Sequence, residues 1–153
     1  MTETNHLVAV EGGIARVTLS RPAVHNALDD KLIAELLASL EQIAADRAVR
    51  LVMLTGEGAS FCAGGDLVWM RRTADYTREQ NLADAMMLAR LLQRLNTMPQ
   101  PTVALVNGPA YGGGVGLVAC CDIAVAAETA EFSLSEVRLG LIPATISPYV
   151  VRK

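Results

Sequence analysis

With 153 residues, 52% of them hydrophobic, and a mean hydropathy of +0.32, the chain holds enough apolar material for one domain with a sizeable core and too much for disorder. A formal net charge of -3, an isoelectric point near 5.3 and the lack of any Lys/Arg run exclude the electrostatic footprint of a nucleic-acid or anionic-membrane binder, leaving a small molecule as the expected partner. No stretch reaches the roughly 18 apolar residues of a membrane span, and the opening MTETNHLVAV has neither the basic nor the apolar region of a secretion signal, so a cytoplasmic location is expected.

In chain order, LVAVEGGIARVTL reads as two short strands turning at Gly12 and Gly13. Residues 29 to 45 place Leu32, Ile33, Leu36, Leu37, Leu40 and Ile43 on one helical face, with Asp29 or Asp30 able to cap the start. LVMLTG at 51 to 56 is a continuous apolar run ended by a glycine turn, the pattern of a strand covered on both faces. FCAGGDL at 61 to 67 is a small-residue turn before another helix. Thr77 to Gln80 fits a capping box, and the run from Leu82 to Leu95 predicts a long helix that stops before Pro99. TVALVNG at 102 to 108 predicts a second buried strand, followed by a glycine run, a helix over about 113 to 120, a strand in DIAVA and a short strand near EFSL. Strand, turn and helix occur in that order twice, with no linker or low-complexity tract, so one α/β domain over residues 1 to 153 is expected.

Cys62, Cys120 and Cys121 form no CxxC pair and read as reduced core residues. His6 and His25 lie far from them in sequence and read as surface residues, so no metal site is expected. Without a better-placed histidine, a Ser-His-Asp or Cys-His nucleophile has little support.

GPAYGGGVG, residues 108 to 116, holds five glycines in nine positions. As a P-loop it fails, because Gly113 is followed by Gly114 and no lysine; as a dinucleotide fingerprint it fails at Leu117 and Ala119. What survives is a glycine turn at a helix N-terminus, where free N–H groups favour a developing negative charge. The turn at 61 to 67 offers a second donor for such an oxyanion site. Close helix-to-strand packing at each turn is the competing reading.

Together, SRPAVHNAL, SFCAGGDL, NGPAYGGG and CCDIAVAAETAEFSLSEVRLGLIPA resemble the enoyl-CoA hydratase/isomerase, or crotonase, family from about residue 8 onward. The resemblance implies a spiral core of ββα units and an acyl-CoA thioester substrate, coenzyme A being part of the substrate with no separate cofactor. It implies that Ala63 and Gly113 donate the oxyanion hydrogen bonds and that Ala63, Gly64, Gly65, Asp66, Gly113 and Trp69 line the substrate site. Of the two glutamates that hydratases of the family use, the position after the glycine run is Gly116, while Glu136 in LSEVRLG fits the second, giving one general acid/base.

A lone glutamate at that position resembles double-bond isomerases, yet DLVWMRR, VGLVACCDIA and LSEVRLGLIPATISPYVV look closest to methylglutaconyl-CoA hydratase-type members. Hydration of a carboxylated branched 2-enoyl-CoA is therefore expected, with an isomerase or a non-catalytic acyl-CoA binder as alternatives. Trp69 and Met70 are expected beside the acyl pocket, Arg71 and Arg72 on an exposed helix face or at a substrate carboxylate, and Asp122 at a structural turn. ISPYVVRK reads as the start of a helix, and the family's C-terminal helical segment, which serves a homo-oligomer (trimer or hexamer), is not in the sequence.

Overall fold

The computed structural model describes residues 4–153; residues 1–3 of the opening segment lie outside the described residues. Strands β1 (His6–Glu11) and β2 (Ile14–Leu19) form the expected antiparallel hairpin at Gly12-Gly13. Strands β3 (Leu51–Gly56), β4 (Thr102–Val106) and β6 (Ile123–Ala126) extend the sheet in parallel, in the order β1-β2-β3-β4-β6. Burial along β3 and β4 alternates, which corrects the expectation of strands covered on both faces: Val52, Leu54, Ala104 and Val106 are buried, and their neighbours only half so. The buried side chains join the leucines of α1 (Asp30–Ala45) and α3 (Arg78–Asn96) in one core, and β6 is exposed along its length.

Each long helix starts where its caps put it. Asp29 accepts a hydrogen bond from Leu32 N at 2.7 Å, and Thr77 and Gln80 close a reciprocal capping box. In α3 only the C-terminal half is anchored, through buried Leu91, Leu92 and Leu95, while Leu82 near its start is 63% exposed. The N-terminal half therefore projects beyond the core, beside the short helix α2 (Leu67–Thr73).

A second, two-stranded parallel sheet pairs β5 (Ala110–Tyr111) with β7 (Phe132–Ser133). Sequence patterning finds the second strand but not its partner, whose two residues lie inside the glycine-rich stretch and read there as part of a turn. This small sheet brings residues 131–139, including a 3-10 turn over Ser135–Leu139, against the glycine run that opens α4 (Gly113–Cys120).

The three cysteines are buried and free, and burial pushes each thiol up to about 12. Asp122 accepts hydrogen bonds from Thr102 N and Oγ1, both at 2.8 Å, joining the starts of β4 and β6. His6 is not a surface residue: its side chain is 10% exposed, with Nε2 2.7 Å from Ser39 Oγ and Glu35 nearby, because β1 packs against α1.

Gly116 is buried in α4, and a Cβ there would run into Ile146, beside the short helix α5 (Ser147–Val150). Gly116→Ala is expected to cost about 1–3 kcal/mol through overpacking, despite alanine's better helix propensity. A lowered thermal midpoint checks this; an unchanged or raised one would show slack around Ile146.

Candidate active site

The two glycine turns converge. Leaving β3 and β4, the loops run side by side: Phe61 N and Cys62 N donate to Pro109 O at 3.0 and 3.2 Å, and Tyr111 N donates to Cys62 O at 2.9 Å. At Gly64, with φ +90°, a Cβ would stand 2.9 Å from Tyr111 O and 3.5 Å from Gly113 N. At Gly114 a Cβ would collide with the Cys62 carbonyl. Both glycines are there because two backbones meet without side chains between them.

Which amides remain free follows from the bonds already made. Ala63 N donates to His25 O at 2.9 Å, so its N–H is spent inside the protein, which corrects the expectation that Ala63 is a donor to substrate. The neighbouring loop is held through Leu28 N to Gly64 O at 2.7 Å and Asp66 N to Leu28 O at 2.8 Å. Between those bonds the Gly65 N–H has no partner among the described residues, and Gly65 is exposed. Gly113, the first residue of α4, has an N–H with no intrahelical partner. Gly65 and Gly113 are thus the donor pair that the geometry offers, and both line the same cavity.

Asp66 also lines that cavity, but its carboxylate is occupied. Oδ1 caps α2 by accepting from Val68 N and Trp69 N, and Oδ2 accepts from Arg21 Nη2 at 3.1 Å, which also contacts Asp29 Oδ2 at 2.9 Å. Asn26, buried beside Arg21, accepts from Arg21 N and donates to Glu57 O and Ser60 O. Asp66 therefore holds the turn in place rather than offering a group to a ligand. Burial works against its ionisation, but the amides of Trp69 and Val68 and the Arg21 guanidinium outweigh burial and hold the carboxyl below the usual aspartate range.

The cavity measures about 840 Å³, a size that suits a small organic ligand. Trp69 and Met70 form part of its wall, together with Asn81, Asp84 and Leu88 of α3. Arg71 and Arg72 do not line it; Arg72 pairs with Asp30 on the surface. Glu136 lines it from the 3-10 turn, half-buried, with Oε2 lacking any hydrogen-bond partner and Oε1 3.1 Å from where a Gly112 Cβ would stand. A free carboxylate oxygen thus stands beside the turn that ends in Gly113. Among the described residues no group of three His, Cys, Asp or Glu side chains could hold a metal.

Sequence reasoning missed Asp84. Its spacing from Asn81 and Leu88, three and four residues, puts all three on one face of α3, but only the placement of α2 shows that this face lines a cavity. Burial, with Asp30 nearby, raises the Asp84 carboxyl above its ordinary range against the opposing pull of Arg72 and the Trp69 indole.

A profile of the family described as enoyl-CoA hydratase/isomerase matches residues 9–153. The chain belongs to the enoyl-CoA hydratase/isomerase family. An enoyl-CoA hydratase structure from Shewanella pealeana superposes with a TM-score of 0.95 at 48% identity, covering 97% of this chain and 56% of that one. A Legionella pneumophila structure described as an enoyl-CoA hydratase/isomerase (crotonase) gives a TM-score of 0.94 at 44% identity, covering 97% of this chain and 57% of that one. Among curated relatives, enoyl-CoA hydratase ACTT6 of Alternaria alternata is 40% identical, covering 95% of this chain and 47% of its own length. The 1,2-epoxyphenylacetyl-CoA isomerase of Escherichia coli is 37% identical, over 88% of this chain and 52% of its own. The fold is thus the crotonase-type α/β fold expected, and the chain spans about half the length of such relatives. No helix among the described residues is long and apolar enough to cross a membrane.

Asp66→Asn tests the linkage between turn and charge. A depressed carboxyl stabilises the fold above the ordinary aspartate pKa of about 4, and that contribution is lost as pH falls through the lower folded value. The gap in thermal midpoint between wild type and variant is expected to be full near neutrality and to close on acidification; a gap independent of pH would contradict this.

Proposed function

We propose that the cavity binds an acyl-CoA thioester and that the protein adds water across a 2-enoyl-CoA. The observation that carries the reading is the meeting of two loops so that Gly65 and Gly113, whose amides are unpartnered, line one cavity with Glu136, whose Oε2 is bonded to nothing in the protein. In this reading the thioester oxygen sits between the two N–H groups. As water adds to the β-carbon, the π electrons move toward that oxygen and the amides stabilise the enolate, each donor contributing about 3–4 kcal/mol in the transition state. Glu136 then gives its proton to the α-carbon. Ala63 and Gly64 support the turn and line the thioester side, with Trp69 along the acyl group.

One observation favours a second reading, double-bond isomerisation. Position 116 has no side chain and no room for one, and a single group beside the α-carbon suffices to move a proton between carbons. Offering 2-enoyl-, 3-enoyl- and saturated acyl-CoA in parallel separates the readings: hydration of the first supports a hydratase, conversion of the second alone an isomerase, and binding without turnover a non-catalytic protein.

The acyl group we propose is carboxylated and branched, as in 3-methylglutaconyl-CoA. Support comes from the likeness of DLVWMRR and LSEVRLGLIPATISPYVV to hydratases of that type and from Trp69 and Met70 in the wall. No Lys or Arg among the described residues lines the cavity, so the free carboxylate would lie toward solvent. Faster hydration of 3-methylglutaconyl-CoA than of crotonyl-CoA is expected; the reverse order would keep the hydratase and discard this acyl group. Self-association is also proposed, since Val137 and Ile142 near the site are 77% and 79% exposed and would be covered in a homo-oligomer.

Glu136→Gln is expected to lower turnover by about 10²–10⁴ while leaving acyl-CoA affinity within a few-fold. Steady-state kinetics beside equilibrium binding measure both, and unchanged turnover would remove Glu136 from the mechanism.

A further inference from the structure

Hydration needs two proton movements, one away from the attacking water and one onto the α-carbon. Glu136 accounts for the second. The first has no group on α4, where Ile146 fills the space beside Gly116. Three carboxylates line the cavity, those of Asp66, Asp84 and Glu136, and Asp66 is consumed by Arg21 and the cap of α2.

We propose that Asp84 holds the attacking water and takes its proton, working from the α3 wall while Glu136 works from the Ser135–Leu139 turn. This rests on the hydratase reading above. A second observation concerns how the Asp84 carboxylate is held. The Trp69 indole Nε1 is shut off from solvent, has no other partner, and lies against the Asp84 carboxylate, whose ionisation it favours. An N–H held against one carboxylate oxygen orients the group and leaves the other oxygen to accept a hydrogen bond from a water in the cavity. Burial of Asp84 also makes it a stronger base than an exposed aspartate.

The step balances without any further reactant. The water oxygen forms a bond to the β-carbon as one of its protons passes to Asp84. The α,β π pair moves into the thioester enolate, held by the amides of Gly65 and Gly113. The enolate collapses, and the α-carbon takes the proton from Glu136. The net change is addition of one water molecule, and solvent exchange returns a proton from Asp84 to Glu136.

The two halves can be measured separately. Hydration of a 2-enoyl-CoA uses both groups, whereas exchange of the α-hydrogens of a saturated acyl-CoA with deuterated solvent uses Glu136 and the amide pair alone. In Asp84→Asn, hydration is expected to fall by about 10²-fold or more and α-exchange by less than about tenfold. Asp84→Glu, which keeps the carboxylate, is expected to recover part of the hydration. Should the asparagine variant not fold, the same ratio is read on Asp84→Ala. Hydration within about threefold of wild type, or equal losses in both assays, would overturn the role of Asp84 and leave the hydratase reading standing. A wild-type protein that exchanges α-hydrogens but hydrates nothing would overturn both.

Discussion

Two stretches of backbone lie closer together here than side chains would allow, and the rest of the site depends on that approach. The loops after β3 and β4 share hydrogen bonds from Phe61, Cys62 and Tyr111, and at Gly64 and Gly114 a Cβ would reach the carbonyl of the opposite loop. Because the contact is made by main chain, the free amides on either side of it are fixed by the fold rather than by rotamers. Dipoles held in this way need no reorganisation as charge develops on a bound oxygen, which is the condition under which such donors contribute most.

The contact is held from outside by polar groups remote from the reacting atoms. Arg21 ties Asp66 to Asp29, and Asn26 ties the same segment to Glu57 and Ser60, so the turn at 61–66 is fastened on its buried side. On the other side, the short pairing of β5 with β7 carries Glu136 to the glycine run. Glu136 Oε2 then lacks a partner within the protein, and the wall has carboxylates but no Lys or Arg among the described residues. A site with unspent donors and acceptors around apolar walls suits a ligand that brings its own carbonyl oxygen and reacting carbons.

Much of this was legible in the sequence. Asp29, Thr77 and Gln80 announced their helices through capping chemistry, and the glycine run announced a turn needing bare backbone. What could not be read was non-local. Ala63 and Gly65 are equivalent as letters, and only the His25 carbonyl, turned toward Ala63 by a residue with φ +53°, decides that the first amide is spent and the second free. Asp66 looked like a ligand because its partner, Arg21, stands 45 residues earlier. Asp84 could not be singled out because α2, which faces it, is only seven residues long, too short for apolar spacing to reveal how it packs. The buried-strand pattern of β3 and β4 misled for a related reason, since periodicity cannot tell a half-covered apolar face from a covered one.

The most direct test of this account looks at the amides themselves. In the ¹⁵N-labelled protein titrated with a saturated acyl-CoA such as butyryl-CoA, the amide protons of Gly65 and Gly113 should move downfield together as they take on the thioester oxygen, while Ala63, already bonded to His25, keeps its shift. Movement of Ala63 with Gly65 unchanged, or saturating binding that leaves both glycine amides where they were, would contradict it.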